Sequence, residues 1–399
     1  MNVRTRTQDN TIAETDLLHL LLDHALENNF AIAVWRLPEE DVKHLILSKQ
    51  YRWIPRETAI EDLSSGFIFA PFDREKQSLF LPADYRFSFK DLTLESPIDP
   101  LTTASHTWMQ EWLKKSPTPR HLKPYTLPSA SVQKEKDHYT TFVQDAVSAI
   151  ESEQLEKVVA SRSKLIQLPP SFDIIHAFQR LCDAYPNALV SFVSSPETGS
   201  WLGATPEILV SVEDQHIFKT VALAGTKPFQ PGMNLKHVAW TQKEIEEQAL
   251  VERYVISCFK KIRLREYDEH GPKTVVAGNL LHLRSDFKVD MKATNFPQLG
   301  SVMLQLLHPT SAVCGMPLEP ARAFLKKHEG YDREFYSGFL GPVNVQNNIH
   351  LFVNLRCMQL LEGQAILYAG AGITVDSMPE QEWEETEMKF QTLQRIVES

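Results

Sequence analysis

The chain has 399 residues, 43% of them hydrophobic and 23% charged, and a formal net charge of −10. That composition is ordinary for a globular protein. The acidic balance gives no basic field to draw in phosphates, so no nucleic-acid partner is expected, and no apolar run approaches the length of a membrane span.

The N-terminal MNVRTRTQDN lacks the apolar stretch of a signal peptide. Cys182, Cys258, Cys314 and Cys357 are scattered without a CxxC pair, which suits buried thiols in a reducing compartment. A cytoplasmic protein with no membrane association is the expectation.

In chain order, residues 13–28 show helical apolar spacing. Ala31–Trp35 reads as a strand, and short strands such as Gly66–Ala70 and Ser78–Leu81 follow. Lys114–Pro128 holds Pro117, Pro119, Pro124 and Pro128 and reads as a linker or a surface crossing. Residues 132–152 return to a helix, Lys157–Leu168 to a strand and Asp173–Tyr185 to a helix. Leu189–Val193, Ile208–Val212 and His216–Leu223 are predicted strands. One long helix is predicted over Lys236–Arg265, strands over Thr274–Ala277 and Leu280–Leu283, and helices over Pro297–Leu307 and Leu318–His328. Gly338–Val345, His350–Leu361 and Gln364–Ala369 form a final antiparallel run before a C-terminal helix. Strands and helices come in blocks rather than in strict βαβ alternation, which predicts an α+β fold with antiparallel sheets.

The stretch AILYAGAGITVDSMPEQEWEETEMKFQ, residues 365–391, carries the densest chemistry. Gly370 and Gly372 let a ligand sit against bare N–H groups. Asp376 or Ser377 is placed to cap the helix, and Pro379 fits its first turn. Glu382, Glu385 and Lys389 share one helical face, offering carboxylates to a hard cation and an ammonium to an anion; a solvated acidic face has the same pattern. Glu244 and Glu247 form a second acidic pair at i, i+3. Two acidic helices could each give Mg²⁺ one carboxylate, with waters and substrate oxygens completing its shell.

Lys157, among Val158, Val159 and Ala160, either snorkels to solvent or is held dry as a base. Glu207 closes GATPE, where Thr205-Pro206 forces extended geometry before a strand; an acid and a simple hairpin glutamate both fit. Leu223–Lys227 ends a strand in a small-residue turn, where Gly225 and Thr226 offer an N–H and a hydroxyl to a carboxylate. Arg356, in the mostly apolar HLFVNLRCMQL, calls for a partner, and a carboxylate is the natural match. The small residues of His308–Pro317 suggest a closely packed loop.

The segments EKVVASR, GATPE, LAGT, KEIEEQ, HLRS, LHPTSAVCG, GYDREFYSGFLGPV, VNLRC, YAGAGI and PEQEWEETEMK occur in this order over Gln154–Gln391. As a set they resemble the chorismate-utilising enzymes: isochorismate synthases, salicylate synthases, and the synthase subunits of anthranilate and aminodeoxychorismate formation. The resemblance implies an α+β fold of two large, mainly antiparallel β-sheets stacked as a sandwich with helices outside, as in anthranilate synthase component I. It implies one catalytic unit over residues 1–399, with a divergent part, 1–130, contributing to the same fold, and the motifs in 131–399.

It also implies roles. Lys157 matches the general base and Glu207 the general acid. Glu247 and Glu385 match the Mg²⁺ ligands, with Glu244 and Glu382 at neighbouring acidic positions that reach through water. Arg356 and the backbone at Gly370 and Gly372 match a clamp on one carboxylate; Gly225, Thr226 and Lys389 match further carboxylate contacts, and His282 a pocket histidine. Gln248 departs from the histidine of many members. Ala224 stands where aminodeoxychorismate synthases carry a nucleophilic lysine. Ala312 matches the alanine of isochorismate synthases, and Met388 lacks the extra metal-binding glutamate of salicylate synthases.

The expectation is an isochorismate synthase that binds chorismate and Mg²⁺, acts as a monomer or homodimer, and feeds menaquinone or siderophore biosynthesis. A salicylate, anthranilate or aminodeoxychorismate synthase is the alternative within the family. A non-catalytic binder of chorismate or Mg²⁺ is the alternative outside catalysis, and the intact Lys157 and Glu207 count against it.

Overall fold

The computed structural model describes residues 13–90, 93–95, 123–126, 136–230, 232–277 and 280–398. Helix α1 (Glu14–Glu27) sets Glu14 and Asp16 at the positive end of its dipole and buries Leu17, Leu18, Leu20, Leu21 and Leu22. Strands β1 (Ala31–Arg36), β2 (Lys43–Ser48), β3 (Arg52–Ile54), β4 (Gly66–Ala70), β5 (Ser78–Pro82), β6 (Tyr85–Lys90) and β7 (Thr93–Glu95) follow. Next come α2 (Lys136–Glu151), β8 (Lys157–Gln167), α3 (Ile174–Ala184), β9 (Leu189–Ser195), β10 (Gly199–Thr205), β11 (Ile208–Glu213) and β12 (Ile217–Pro228). Then come α4 (Gln242–Lys261), β13 (Asp268–Ala277), β14 (Leu280–Asp290), α5 (Leu299–Leu307), β15 (Gly315–Met316) and α6 (Leu318–His328). The chain closes with β16 (Phe339–Val343), β17 (Ile349–Val353), β18 (Cys357–Leu361), β19 (Gln364–Ile373) and α7 (Pro379–Glu398).

The strands form a ten-stranded sheet, β15-β8-β19-β18-β10-β9-β1-β2-β6-β7, and a nine-stranded sheet, β13-β14-β12-β11-β17-β16-β4-β5-β3. The described pairings are antiparallel.

Two-residue alternation decides the layering. Ala31, Ala33 and Trp35 of β1 share an apolar layer with Phe67 and Phe69 of β4, Leu79 and Leu81 of β5, and Phe352 of β17. That layer joins the two sheets face to face. Ile32 and Val34 point the other way, onto Leu18 and Leu21 of α1, Phe178 of α3 and Leu393 of α7. On the nine-stranded sheet, Ile68 and Ala70 belong to the outer cluster with Val251 and Val255 of α4 and Met303 of α5. Helices α2 and α6 cover the β8–β19 end through Tyr139, Phe142 and Leu325. This is the two-sheet sandwich with helices outside that the resemblance implies. No described helix is long and apolar enough to cross a membrane.

The structure corrects several sequence-based boundaries. The helix predicted over Lys236–Arg265 is shorter. Leu235–His237 is a separate 3₁₀ turn, and the α4 start is fixed by a capping box between Thr241 and Glu244. At its other end, Arg263 takes φ 58°, which a helix cannot continue. The strand predicted over His350–Leu361 is two strands, broken at Arg356 with φ 47°. Gly199–Thr205, for which the sequence reading offered no element, is a fully buried strand. LAGTK does not end its strand: β12 runs on to Pro228, with a register shift between Ala224 and Lys227. Gly225, at φ 70°, provides the backbone freedom for that bulge. Of the proline-rich Lys114–Pro128, only Lys123–Thr126 lie among the described residues, and they form neither helix nor strand. The first residues of the helix predicted over 132–152 also lie outside the described residues.

Candidate active site

Two chain crossings between the sheets meet at one place. Pro206-Glu207 carries the chain from β10 in one sheet to β11 in the other, and Asn354–Arg356 carries it back from β17 to β18. The crossings hold each other. Val353 N–H donates to the Glu207 carbonyl at 2.9 Å, Ala204 N–H to the Arg356 carbonyl at 3.0 Å, and the Thr205 hydroxyl to the Val353 carbonyl at 2.6 Å. Glu207 and Arg356 are therefore positioned by paired backbone. The left-handed φ of Arg356 is a strained conformation for a non-glycine residue.

Both residues open onto a cleft with about 790 Å³ of empty space, its mouth included. Gly225, Thr226, Glu247, His282, Ala312, Gly370, Gly372, Glu385 and Lys389 also line it. The sequence reading did not single out Tyr336 and Tyr368, which line the cleft with their rings stacked, centroids 5.3 Å apart. Tyr336 lies in the GYDREFYSGFLGPV segment, but nothing in its spacing marks it as cleft-lining.

Lys157 does not snorkel. Its side chain is fully buried, and Nζ donates to Glu247 Oε1 at 2.9 Å, placing it directly behind a cleft-lining carboxylate. Gly372 makes room for the pair: a Cβ there would lie 2.5 Å from Glu247 Oε1 and 3.0 Å from Lys157 Cε. Burial alone would raise the Glu247 carboxyl, but Lys157, with Lys389 and Lys243 helping, outweighs it, and the pKa falls below its ordinary value.

A hydrogen-bonded chain links this pair to Arg356. Gly225 N–H donates to Glu247 Oε2 at 3.3 Å, and the Gly225 carbonyl accepts from His282 Nδ1 at 2.6 Å. His282 Nε2 lies 2.7 Å from an Arg356 guanidinium nitrogen. Burial, then Arg356, lowers the His282 pKa to about 3, so the ring is neutral and Nε2 accepts from Arg356. The sequence had offered a carboxylate as the natural partner of Arg356. The guanidinium contacts the neutral His282 ring, and burial lowers its pKa to about 10, which keeps it charged at neutral pH.

Glu207 is the buried acid. Burial raises its pKa to about 7, against the opposing effects of Lys157, the Thr310 hydroxyl at 3.4 Å, and Arg356. Lys389 bonds to Glu385 at 2.7 Å and to the Gly370 carbonyl at 2.7 Å, fixing α7 to the end of β19.

Not every acidic residue of the two helices faces the cleft. Glu247 and Glu385 line it; Glu244 and Glu382 do not. Glu244 closes the α4 cap by accepting from Thr241 N–H at 2.7 Å and from the Thr241 hydroxyl. Glu382 is buried against Lys243, 2.6 Å away, and burial raises its pKa although Lys243 opposes the shift. The Lys243–Glu382 pair joins the starts of α4 and α7. The sequence-predicted set is thus brought together except for Glu244 and Glu382, which cap and tie the two helices, and Lys157, which lies behind Glu247.

The chorismate binding enzyme family model matches residues 85–398. The isochorismate synthase EntC of Escherichia coli K12 is 30% identical over 267 residues, 66% of this chain and 67% of that protein. DhbC of Bacillus subtilis, also an isochorismate synthase, is 29% identical over 289 residues, 69% of this chain and 70% of that protein. The solved structure of MenF, the menaquinone-specific isochorismate synthase of E. coli, shares the fold with a TM-score of 0.72 and 20% identity, covering 93% of this chain and 89% of that one. With the family match spanning both crossings, both acidic helices and the cleft between them, the chain belongs to the chorismate-binding enzyme family.

Proposed function

We propose that this chain is an isochorismate synthase, adding water at C2 of chorismate and expelling the C4 hydroxyl. The observation that carries the reading is a buried carboxylic acid, Glu207, poised near neutral pH in the cleft that Glu247 also lines, with Lys157 bonded behind it. Hydroxide leaves poorly, so the departing C4 oxygen needs a proton, and an acid with a pKa near 7 supplies it efficiently. To serve as base Lys157 must first give up its own proton; its neutral amine then takes one from the water that attacks C2. One water is consumed and one released, so the reaction runs in both directions with the two groups exchanging roles.

The substrate is a dicarboxylate. Arg356 and Lys389 supply positive charge in a chain of net charge −10, and the hydroxyl of Thr226, which lines the cleft, adds a hydrogen-bonding group. Mg²⁺ fits the hard oxygen donors that the two helices bring to the cleft, and Glu247 and Glu385 would hold it. When bound, it neutralises the ring carboxylate and stabilises electron density shifting toward it.

Two cleft residues favour water over the family's other routes. Ala224 offers no side-chain nucleophile where the covalent route would need one, and Ala312 lines the wall without an added hydroxyl. The names of the relatives agree with this reading. We further read the protein as a cytoplasmic monomer or homodimer whose product feeds menaquinone or siderophore biosynthesis; sedimentation tests the assembly. The deciding assay incubates enzyme, chorismate and Mg²⁺ with and without ammonium and resolves the products. Isochorismate in equilibrium with chorismate, unchanged by ammonium, is expected. Salicylate with pyruvate, or an amino product that requires ammonium, would overturn the reading.

A further inference from the structure

Between α1 and α3 lies a cluster that the cleft chemistry does not use. His19 Nε2 is 2.7 Å from Asp173 Oδ2, and His176 Nδ1 is 3.0 Å from Asp173 Oδ1. One donor atom from each of the three residues falls within 4.8 Å of the others. The two imidazoles are tilted by 52° with centroids 5.8 Å apart, so both converge on the carboxylate rather than stack.

Sequence and fold place them firmly. Asp173 caps α3 and accepts His176 N–H at 2.8 Å, which sets Asp173 and His176 on one side of the first turn. His19 reaches over from α1. Its Nδ1 is 2.8 Å from the Thr15 carbonyl, and Gln179 in α3 donates to the Thr15 hydroxyl at 2.9 Å. The side-chain exposures, 3% for His19, 25% for Asp173 and 57% for His176, grade from a buried anchor to an open ligand and leave a path for an ion.

With its Nδ1–H given to a carbonyl, His19 shares a proton between Nε2 and Asp173 Oδ2 at 2.7 Å. A metal ion would displace that proton and move the two atoms slightly apart as its ligands. Two imidazoles and a carboxylate are a donor set for borderline divalent metals, Zn²⁺ foremost, and a backbone carbonyl on the far ring nitrogen is the usual outer support of a metal-bound histidine. Asp23, buried nearby on α1, adds negative charge. The α3 dipole opposes a cation only weakly compared with three coordination bonds.

We propose that His19, Asp173 and His176 form a Zn²⁺ site that clamps α1 to α3, with water in the fourth position. His19 lies outside the family match at 85–398, so the clamp ties the N-terminal segment to the family core.

The test uses chelator-treated full-length protein in saturating Mg²⁺, titrated with ZnCl₂ by calorimetry and followed by thermal unfolding. One Zn²⁺ is expected at this site, raising the unfolding midpoint by ~2–5 °C. His176→Ala, at an exposed position, and Asp173→Asn, which keeps a capping oxygen, each weaken binding at least ~10-fold and abolish that rise. Absence of Zn²⁺ binding tighter than ~100 μM in the wild type, or a thermal response retained in His176→Ala, would overturn the site.

Discussion

Glu207 turns the fold into a pH dependence. In the proposed mechanism its working form is the protonated acid, so kcat/KM of the free enzyme should fall as pH rises through about 7. Stability follows the same sign. Below the ordinary value of 4.5, folded and unfolded chains both hold the proton; above it the unfolded chain loses the proton first, so the native state loses stability as pH climbs to about 7. The loss amounts to up to about 3 kcal/mol. Glu207→Gln should cut turnover by ~10²–10⁴-fold and flatten that slope in denaturant titrations between acid and neutral pH. A variant keeping the wild-type slope would show that another group causes it. Lys157→Ala should cost turnover by a similar factor while chorismate binding, read by calorimetry, changes less; a near-normal rate would remove Lys157 from the chemistry. Glu247→Gln or Glu385→Gln should abolish Mg²⁺-dependent turnover with the circular dichroism spectrum intact, and full activity in EDTA would remove the metal from the mechanism.

Strand β19 brings Gly370 and Gly372 alongside β8, and α4 closes over them with Glu247. Gly372→Ala tests that packing. The nearest atoms to the added Cβ are the far ends of the Glu247 and Lys157 side chains, not backbone, so the unfolding midpoint should move less than turnover, which displacement of the pair lowers at least ~10-fold. Normal turnover would mean that the pair tolerates displacement. These positions were partly legible before folding: the glycine spacing announced close approach, and i, i+3 spacing announced acidic faces. The bulge at Gly225 was not legible as a bulge. A turn and a bulge share small residues, and only the pairing of β12 with β14 across the irregularity separates them.

Across the whole molecule, the N-terminal strands are not an appendage. β1 pairs with β9 and β4 pairs with β16, so residues 31–90 extend both sheets and supply Trp35, Phe67 and Phe69 to the layer between them. A chain starting at residue 131 would leave β9 and β16 as open edges and uncover that layer. It should fail to give a cooperative unfolding transition; a cooperative melt of this fragment would show that the motif-bearing part folds independently.

The sequence by itself determined the strands at Ala31–Trp35 and Gly66–Ala70, the two acidic helices, and the ordered motifs that point to the family. Those signals are local, set by side-chain periodicity and backbone freedom within a few residues. Tertiary structure alone decided that Lys157 is buried behind Glu247 rather than snorkelling, that Arg356 rests on a neutral His282, and that Glu247 and Glu385 face the cleft while Glu244 caps its helix and Glu382 pairs with Lys243. Periodicity assigns a residue to a face. What covers that face, and so its charge environment, comes from segments as far apart as Lys157 and Glu247, and only the folded chain brings them within a hydrogen bond.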